Sequence, residues 1–224
     1  MTRIGLLGGS FNPAHRGHRA LSRHALRLLA LDEIWWLVSP GNPLKPTYGM
    51  APLAARFGSA QIAAQRMPIR VTAIEREFGT AYTADTLRHL RRRFPGRDFI
   101  WLMGADNLQQ FHRWRNWRGI ARTVPIAVIG RPGYDGGARA ARAMGWLRRF
   151  VRSADHARHW TEWRQPALVL LQMPPDPTSA TGLRAADPDW HVTLSPNAPA
   201  PRDGVTRRLL QTRRHIASTH PGSV

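Results

Sequence analysis

Short apolar blocks alternate along the chain with longer segments in which apolar positions recur every three or four residues. Ile4, Leu6 and Leu7 open the chain as a buried strand. Residues 19–31 then place Leu21, Ala25, Leu28 and Leu29 on one helical face, and Asp32 is expected to end that helix. Residues 33–38 read as a second strand, and 39–46 as a loop dense in turn residues. Alanine-rich residues 52–66 predict a helix and 69–72 a third strand. Glu75 and Glu77 fall in the loop after it, solvated or paired with arginines. Residues 82–94 predict a helix with Thr83 as N-cap, stopped by Pro95-Gly96. Residues 98–104, 124–130 and 168–171 are the remaining strands, and a helix starts at 105–108.

Strands alternating with helices predict an α/β fold: a doubly wound, Rossmann-like parallel sheet of five to six strands in a single domain, residues 1–190. From about Ala185 the texture becomes polar, basic and proline-rich. Residues 191–224 read as a weakly ordered basic tail, with a short helix at 205–216. In doubly wound folds ligands bind beyond the carboxyl ends of the strands. The unusual loops of this chain all follow strand ends, so one shared site is expected there.

Composition narrows the function only a little. The 224 residues are 42% hydrophobic, enough for a sizeable core. No apolar run is long enough for a membrane span, and no leader pattern is visible, so the expected location is cytoplasmic with no membrane partner. Cysteine is absent, which removes disulfides and thiolate chemistry. The net charge of +19 suggests affinity for polyanions. Yet the cations are arginines scattered over every segment, with a single lysine, Lys45, so no specific nucleic-acid face is expected. A homo-oligomer is left open.

The candidate chemistry concentrates in residues 8–18. Gly8-Gly9 allows a tight turn and close backbone approach, Asn12-Pro13 is a turn, and His15 and His18 flank Gly17. A glycine-rich turn between a strand and a helix N-terminus suits phosphate. The glycine spacing fits neither a dinucleotide fingerprint nor a Walker A loop, and Ser10 is not in a nucleophile elbow. No carboxylate or cysteine stands at metal-ligand spacing from the histidines, so no protein-bound metal is expected. The remaining reading is that their imidazole N–H groups donate to phosphoryl oxygens. Asp106, at a strand end, suits either a ribose hydroxyl or a helix cap.

Residues 9–18 resemble throughout the nucleotidyltransferase superfamily signature Gly-x-Phe-Asp/Asn-Pro-x-His-x-Gly-His. Residues 178–184, Thr-Ser-Ala-Thr-Gly-Leu-Arg, resemble its second signature, with Ala180 in place of a hydroxyl residue. Within the superfamily the chain looks like the bacterial nicotinate-nucleotide adenylyltransferases. The doubled glycine at 8–9, Pro43-Leu44-Lys45, Tyr82-Thr83-Ala84-Asp85-Thr86-Leu87, and Gly104-Ala105-Asp106-Asn107-Leu108 with Phe111, Trp114 and Trp117 carry that likeness, which spans residues 3–184.

The resemblance implies adenylyl transfer from ATP to nicotinate mononucleotide, giving deamido-NAD and pyrophosphate, with Mg2+ accompanying ATP as the cofactor. It implies His15, His18, Lys45 and Arg184 as catalytic residues. It implies ATP contacts from Gly8, Gly9, Ser10, Phe11, His18, Gly104, Asp106, Ser179, Thr181 and Arg184. Asn12, Lys45, Tyr82, Thr83, Asp85 and Trp117 would bind the mononucleotide. Trp117 is the expected stacking partner of the pyridine, with Trp114 packed; the backbone near Tyr82 and Thr83 would receive the nicotinate carboxylate. The competing readings are another acceptor, nicotinamide mononucleotide or phosphopantetheine, and a basic nucleic-acid-binding protein on the same scaffold.

Overall fold

The computed structural model describes residues 1–41, 49–130, 137, 140–174, 178–192, 194 and 200–210. Seven parallel strands form one sheet: β1 (Thr2–Gly9), β2 (Glu33–Val38), β3 (Ile69–Thr72), β4 (Arg97–Gly104), β5 (Ile126–Gly130), β6 (Val151–Arg152) and β7 (Leu168–Gln172). Their order is β3-β2-β1-β4-β5-β7-β6. The count exceeds the expected five to six because of β6, two exposed residues at the sheet edge that leave no periodic trace.

Apolar strands pack on both faces, as a sheet covered on both sides requires. Neighbouring residues of β2 divide between the faces. Trp35 joins Ile4, Leu6, Phe99 and Trp101 beneath α4 (Thr83–Arg93), α5 (Ala105–Gln110) and α6 (Trp117–Thr123). Trp36 joins Leu7, Ile34, Ile100 and Leu102 beneath α1 (Arg16–Leu28) and α2 (Leu53–Ala64). The remaining helices are α3 (Ile74–Phe78), α7 (Met144–Leu147) and α8 (Ala180–Ala186).

The strand order runs outward in both directions from the β1–β4 pair, so the switch point lies between the ends Gly8-Gly9 and Gly104. Among the described residues no helix is long and apolar enough to cross a membrane.

Several local expectations differ from the structure. Helix α1 begins three residues earlier than its apolar face suggests, because His15 and His18 cap it. It ends before Asp32, because Ala30 turns the chain at φ 47°. Tyr82, not Thr83, holds the N-cap position of α4, with no side-chain cap bond. Glu75 lies not in a loop but in the short helix α3.

The packed chain also continues past residue 190. Residues 200–210 lie as a strap along the β3 edge. Gly204 N–H donates to the Val71 carbonyl at 2.8 Å, and Arg202 bridges Leu209 antiparallel. Asp203 is buried; its Oδ2 accepts from Thr72 Oγ1 (2.9 Å) and Ala73 N (2.8 Å), and its Oδ1 from Val205 N and Thr206 N. The described part of the expected 205–216 helix is therefore turn and bridge; the rest of that segment lies outside the described residues.

Candidate active site

A cleft of about 800 Å³ opens at the switch point. It is lined by the end of β1, Trp101 and Gly104 of β4, the turn before α1, the turn into α4, residues 113–115, and Thr178, Ser179 and Ala180 at the start of α8.

The turn before α1 is built by its two histidines. His15 is the N-cap: its Nδ1 accepts from Gly17 N–H at 3.1 Å, and the Nδ1 of His18 accepts from His15 N–H at 3.2 Å. This reciprocal capping box is made here with imidazoles. A nitrogen that accepts carries no proton, so in this arrangement both rings bear theirs on Nε2. The ring centroids lie 4.0 Å apart. Gly17 is required by this packing, since a Cβ there would lie 2.9 Å from His15 Cε1 and 3.3 Å from the Thr178 carbonyl oxygen. His18 rests against Phe11 (4.8 Å), which stacks on Trp36 (5.0 Å). Phe11 holds φ 48°, a left-handed conformation costly for an aromatic residue and sustained here by complete burial.

Arg56, which carried no signal beyond being a lone cation in an apolar helix, binds the cleft loops together. It is 2% exposed and donates to the carbonyls of Ser10 (2.8 Å), Ser39 (2.7 Å) and Ala51 (2.9 Å). Burial pulls its guanidinium down to about 10.

Glu75 corrects the sequence expectation most sharply. It is buried and lines the cleft, and its Oε1 accepts from Thr86 Oγ1 at 3.3 Å. Burial pushes its carboxyl up to about 7, against the opposing pull of the Thr86 hydroxyl. Its signal in the sequence was the apolar pair Ile74 and Phe78 one turn apart around it. Glu77 does pair with arginines, Arg93 at 3.8 Å and Arg208 at 3.2 Å.

The expected site residues are brought together unevenly. Gly8, Gly9, Ser10, Phe11, Asn12, His15, His18, Tyr82, Thr83, Gly104, Asp106 and Ser179 all line the cleft. The Asn12 amide is committed to the fold, donating to Gly49 O (2.9 Å) and accepting from Ala51 N (3.2 Å). Ser179 caps α8 by accepting from Gly182 N at 3.1 Å. Asp106 is exposed in the first turn of α5, whose cap position belongs to Gly104.

Four expected residues fall elsewhere. Arg184 and Thr181 are not cleft walls: Arg184 donates to the Asn12 carbonyl (2.6 Å) and to Thr181 Oγ1 (3.3 Å), tying α8 to the histidine turn. Asp85 is not a wall either; it pairs with Arg88 and, at 3.7 Å, with Arg115. Trp117 is not a cleft wall: it packs edge-on with Phe111 and Trp146, with the Arg118 guanidinium over its ring. Trp114 lines the cleft instead, while also packing against Trp101 and Phe111. The helical register decides this: Trp117 begins α6 after the left-handed turn at Asn116, which swings it inward. Lys45 lies outside the described residues.

Among the described residues no group of three histidine, cysteine or carboxylate side chains could hold a metal ion. The cleft offers imidazole N–H groups, aromatic surface and isolated carboxylates, an inventory that suits a nucleotide.

Comparison with known proteins agrees. The cytidylyltransferase-like family model matches residues 6–186. Over 188 residues the chain is 62% identical to an Erythrobacter litoralis protein named "Probable nicotinate-nucleotide adenylyltransferase", covering 84% of this chain and 86% of that one. A Bradyrhizobium sp. protein of the same name is 48% identical over 188 residues, 84% of this chain and 98% of its own. In fold the chain is similar to Plasmodium falciparum nicotinic acid mononucleotide adenylyltransferase complexed with NaAD, with TM-score 0.61 at 16% identity over 83% of each chain.

Proposed function

The chain belongs to the nicotinate-nucleotide adenylyltransferases of the cytidylyltransferase-like family, and from that premise we propose that it transfers the adenylyl group of ATP to nicotinate mononucleotide. The products are deamido-NAD and pyrophosphate, a step of NAD synthesis. The observation that carries the reading is the pair of capped imidazoles in a switch-point cleft that Tyr82, Thr83 and Trp114 also line.

The attacking group is a phosphate oxygen of the mononucleotide, already a nucleophile, so no strong base is needed. It forms a bond to the α-phosphorus of ATP while the bond from that phosphorus to the bridging oxygen breaks. Pyrophosphate departs with the electron pair. Catalysis of such an in-line displacement is positioning and charge stabilisation. His15 and His18 donate Nε2–H to the α-phosphoryl oxygens as charge grows there, with ring directions preset by the backbone bonds at Nδ1. Gly8 and Gly9 let the triphosphate approach the backbone, and Asp106 accepts from a ribose hydroxyl. Arg184 holds α8 against the turn; Lys45 supplies a phosphate contact.

The pyridine stacks on Trp114, the tryptophan that lines the cleft. Mg2+ would accompany ATP, and among the described cleft residues the isolated carboxylate of Asp106 would be the group to steady it. Its contribution when bound is to neutralise phosphate charge. The substrates are soluble nucleotides, and the proposed setting is the cytoplasm.

A product assay tests this. Purified protein with ATP, Mg2+ and nicotinate mononucleotide is expected to yield deamido-NAD and pyrophosphate in equal amounts. Unconsumed ATP with every mononucleotide would overturn it.

A further inference from the structure

Helix α3 is five residues long, too short to hold itself, so its order comes from what meets its ends. At its start the Asp203 carboxylate of the strap accepts from Ala73 N–H (2.8 Å) and Thr72 Oγ1 (2.9 Å). Thr72 Oγ1 in turn accepts from Ile74 N–H at 3.1 Å. Asp203 and Thr72 are both buried, so these bonds form out of water, where they hold position most firmly. At the far end Gly79 turns the chain at φ 64°, and Thr80 N–H donates to the Glu75 carbonyl at 2.9 Å.

The same chain of bonds reaches the cleft. Thr86 Oγ1 in α4 lies 2.8 Å from Thr80 Oγ1, and 3.3 Å from both Glu75 Oε1 and the Tyr82 carbonyl oxygen. Glu75, Thr80 and Thr86 are buried. Their contacts tie α3 to the turn into α4, and Glu75, Ala81, Tyr82 and Thr83 of this unit line the cleft. A displaced α3 would take that part of the lining with it. The family match ends at residue 186, so Asp203 lies outside it.

We propose that the strap, through Asp203, positions the part of the cleft lining formed by Glu75 and the turn into α4, so that binding of the acceptor depends on a segment beyond the family match. The inference rests on the adenylyl-transfer reading above, in which Tyr82 and Thr83 serve the mononucleotide and the histidine turn serves ATP. Asp203 is a positioning residue: it touches no substrate and acts through Thr72, Ala73 and α3. Thr86 is the second link, joining α3 to the turn.

The test uses the full chain as wild type, Asp203→Asn, Thr72→Val, Thr86→Val and the double variant of Asp203 and Thr86, at a temperature where circular dichroism shows each folded. Val169→Ala, in β7 on the other side of the sheet from β3, is the variant weakened elsewhere. Asp203→Asn keeps the side-chain shape and removes the charge and one acceptor. It is expected to raise KM for nicotinate mononucleotide by about three- to tenfold, the range for changes along a coupled network, while KM for ATP stays within about twofold. Thr72→Val acts in the same direction, and carries the comparison if Asp203→Asn does not fold. The double variant is expected to cost less than the sum of its parts, because both links serve one path. Val169→Ala is expected to leave both KM values in place. Hydrogen exchange, which needs no substrate, should quicken at the amides of residues 74–86 in Asp203→Asn and not at those of α1. Equal rises in the two KM values, an unchanged KM for the mononucleotide, or faster exchange confined to the strap overturns the proposal. A wild type that makes no dinucleotide overturns the adenylyl-transfer reading instead, and the exchange measurement still decides whether the strap holds the turn.

Discussion

The two histidines illustrate how one residue type serves fold and chemistry together. Each spends one ring nitrogen on a backbone N–H at the start of α1, and that bond fixes which nitrogen is left to donate. A proton on either Nδ1 would break that backbone bond and with it the cap. Replacing His18 by Ala removes a donor that acts as charge develops, so kcat is expected to fall by about 10²–10³ with a much smaller rise in KM. Steady-state kinetics check this, and a change confined to KM would contradict the role. At this scale the signature residues were legible in the sequence because their spacing is unusual. The orientation of Trp114 and Trp117 was not, because both are aromatic and three residues apart, and only the turn at Asn116 decides which one faces the cleft.

Elements place these residues. Every strand but the exposed edge pair β6 was legible nearly to its ends, since a sheet buried on both faces requires continuous apolar runs. What sequence reading missed were elements held by tertiary contacts. Helix α3 is five residues long and could not persist alone. Its first N–H groups are met by Asp203 and Thr72, and Glu77 on the same helix pairs with Arg208. Both Asp203 and Arg208 come from the strap, a segment that its composition describes as tail. The strap approaches β3 so closely that a Cβ at Gly204 would lie 2.8 Å from the Val71 carbonyl oxygen. Gly204→Ala is therefore expected to destabilise the protein by on the order of 1–3 kcal/mol. A lower denaturant midpoint measures it, and an unchanged midpoint would mean that the strap adds no stability.

At the scale of the whole molecule, the positive charge proves diffuse, and the most consequential ionisable group is a buried acid. Glu75 has its carboxyl pushed up to about 7 by burial, against an ordinary 4.5. A carboxyl raised in this way favours the fold when protonated. Its contribution is fully present below about 4.5 and is lost as pH rises through about 7. The difference is on the order of 3 kcal/mol. Stability measured at pH 5 and pH 8 should thus fall less in Glu75→Gln than in wild type, and equal falls would show that burial does not perturb this group.

The doubly wound order is what collects the separate signals into one place, because β1 and β4 end side by side. The chemistry at that place decides the function. The most direct measurement is pyrophosphate release from ATP and Mg2+ with nicotinate mononucleotide, nicotinamide mononucleotide and phosphopantetheine in parallel. The highest kcat/KM is expected with the nicotinate form. Release with none of the three, or a higher kcat/KM with another acceptor, would contradict it.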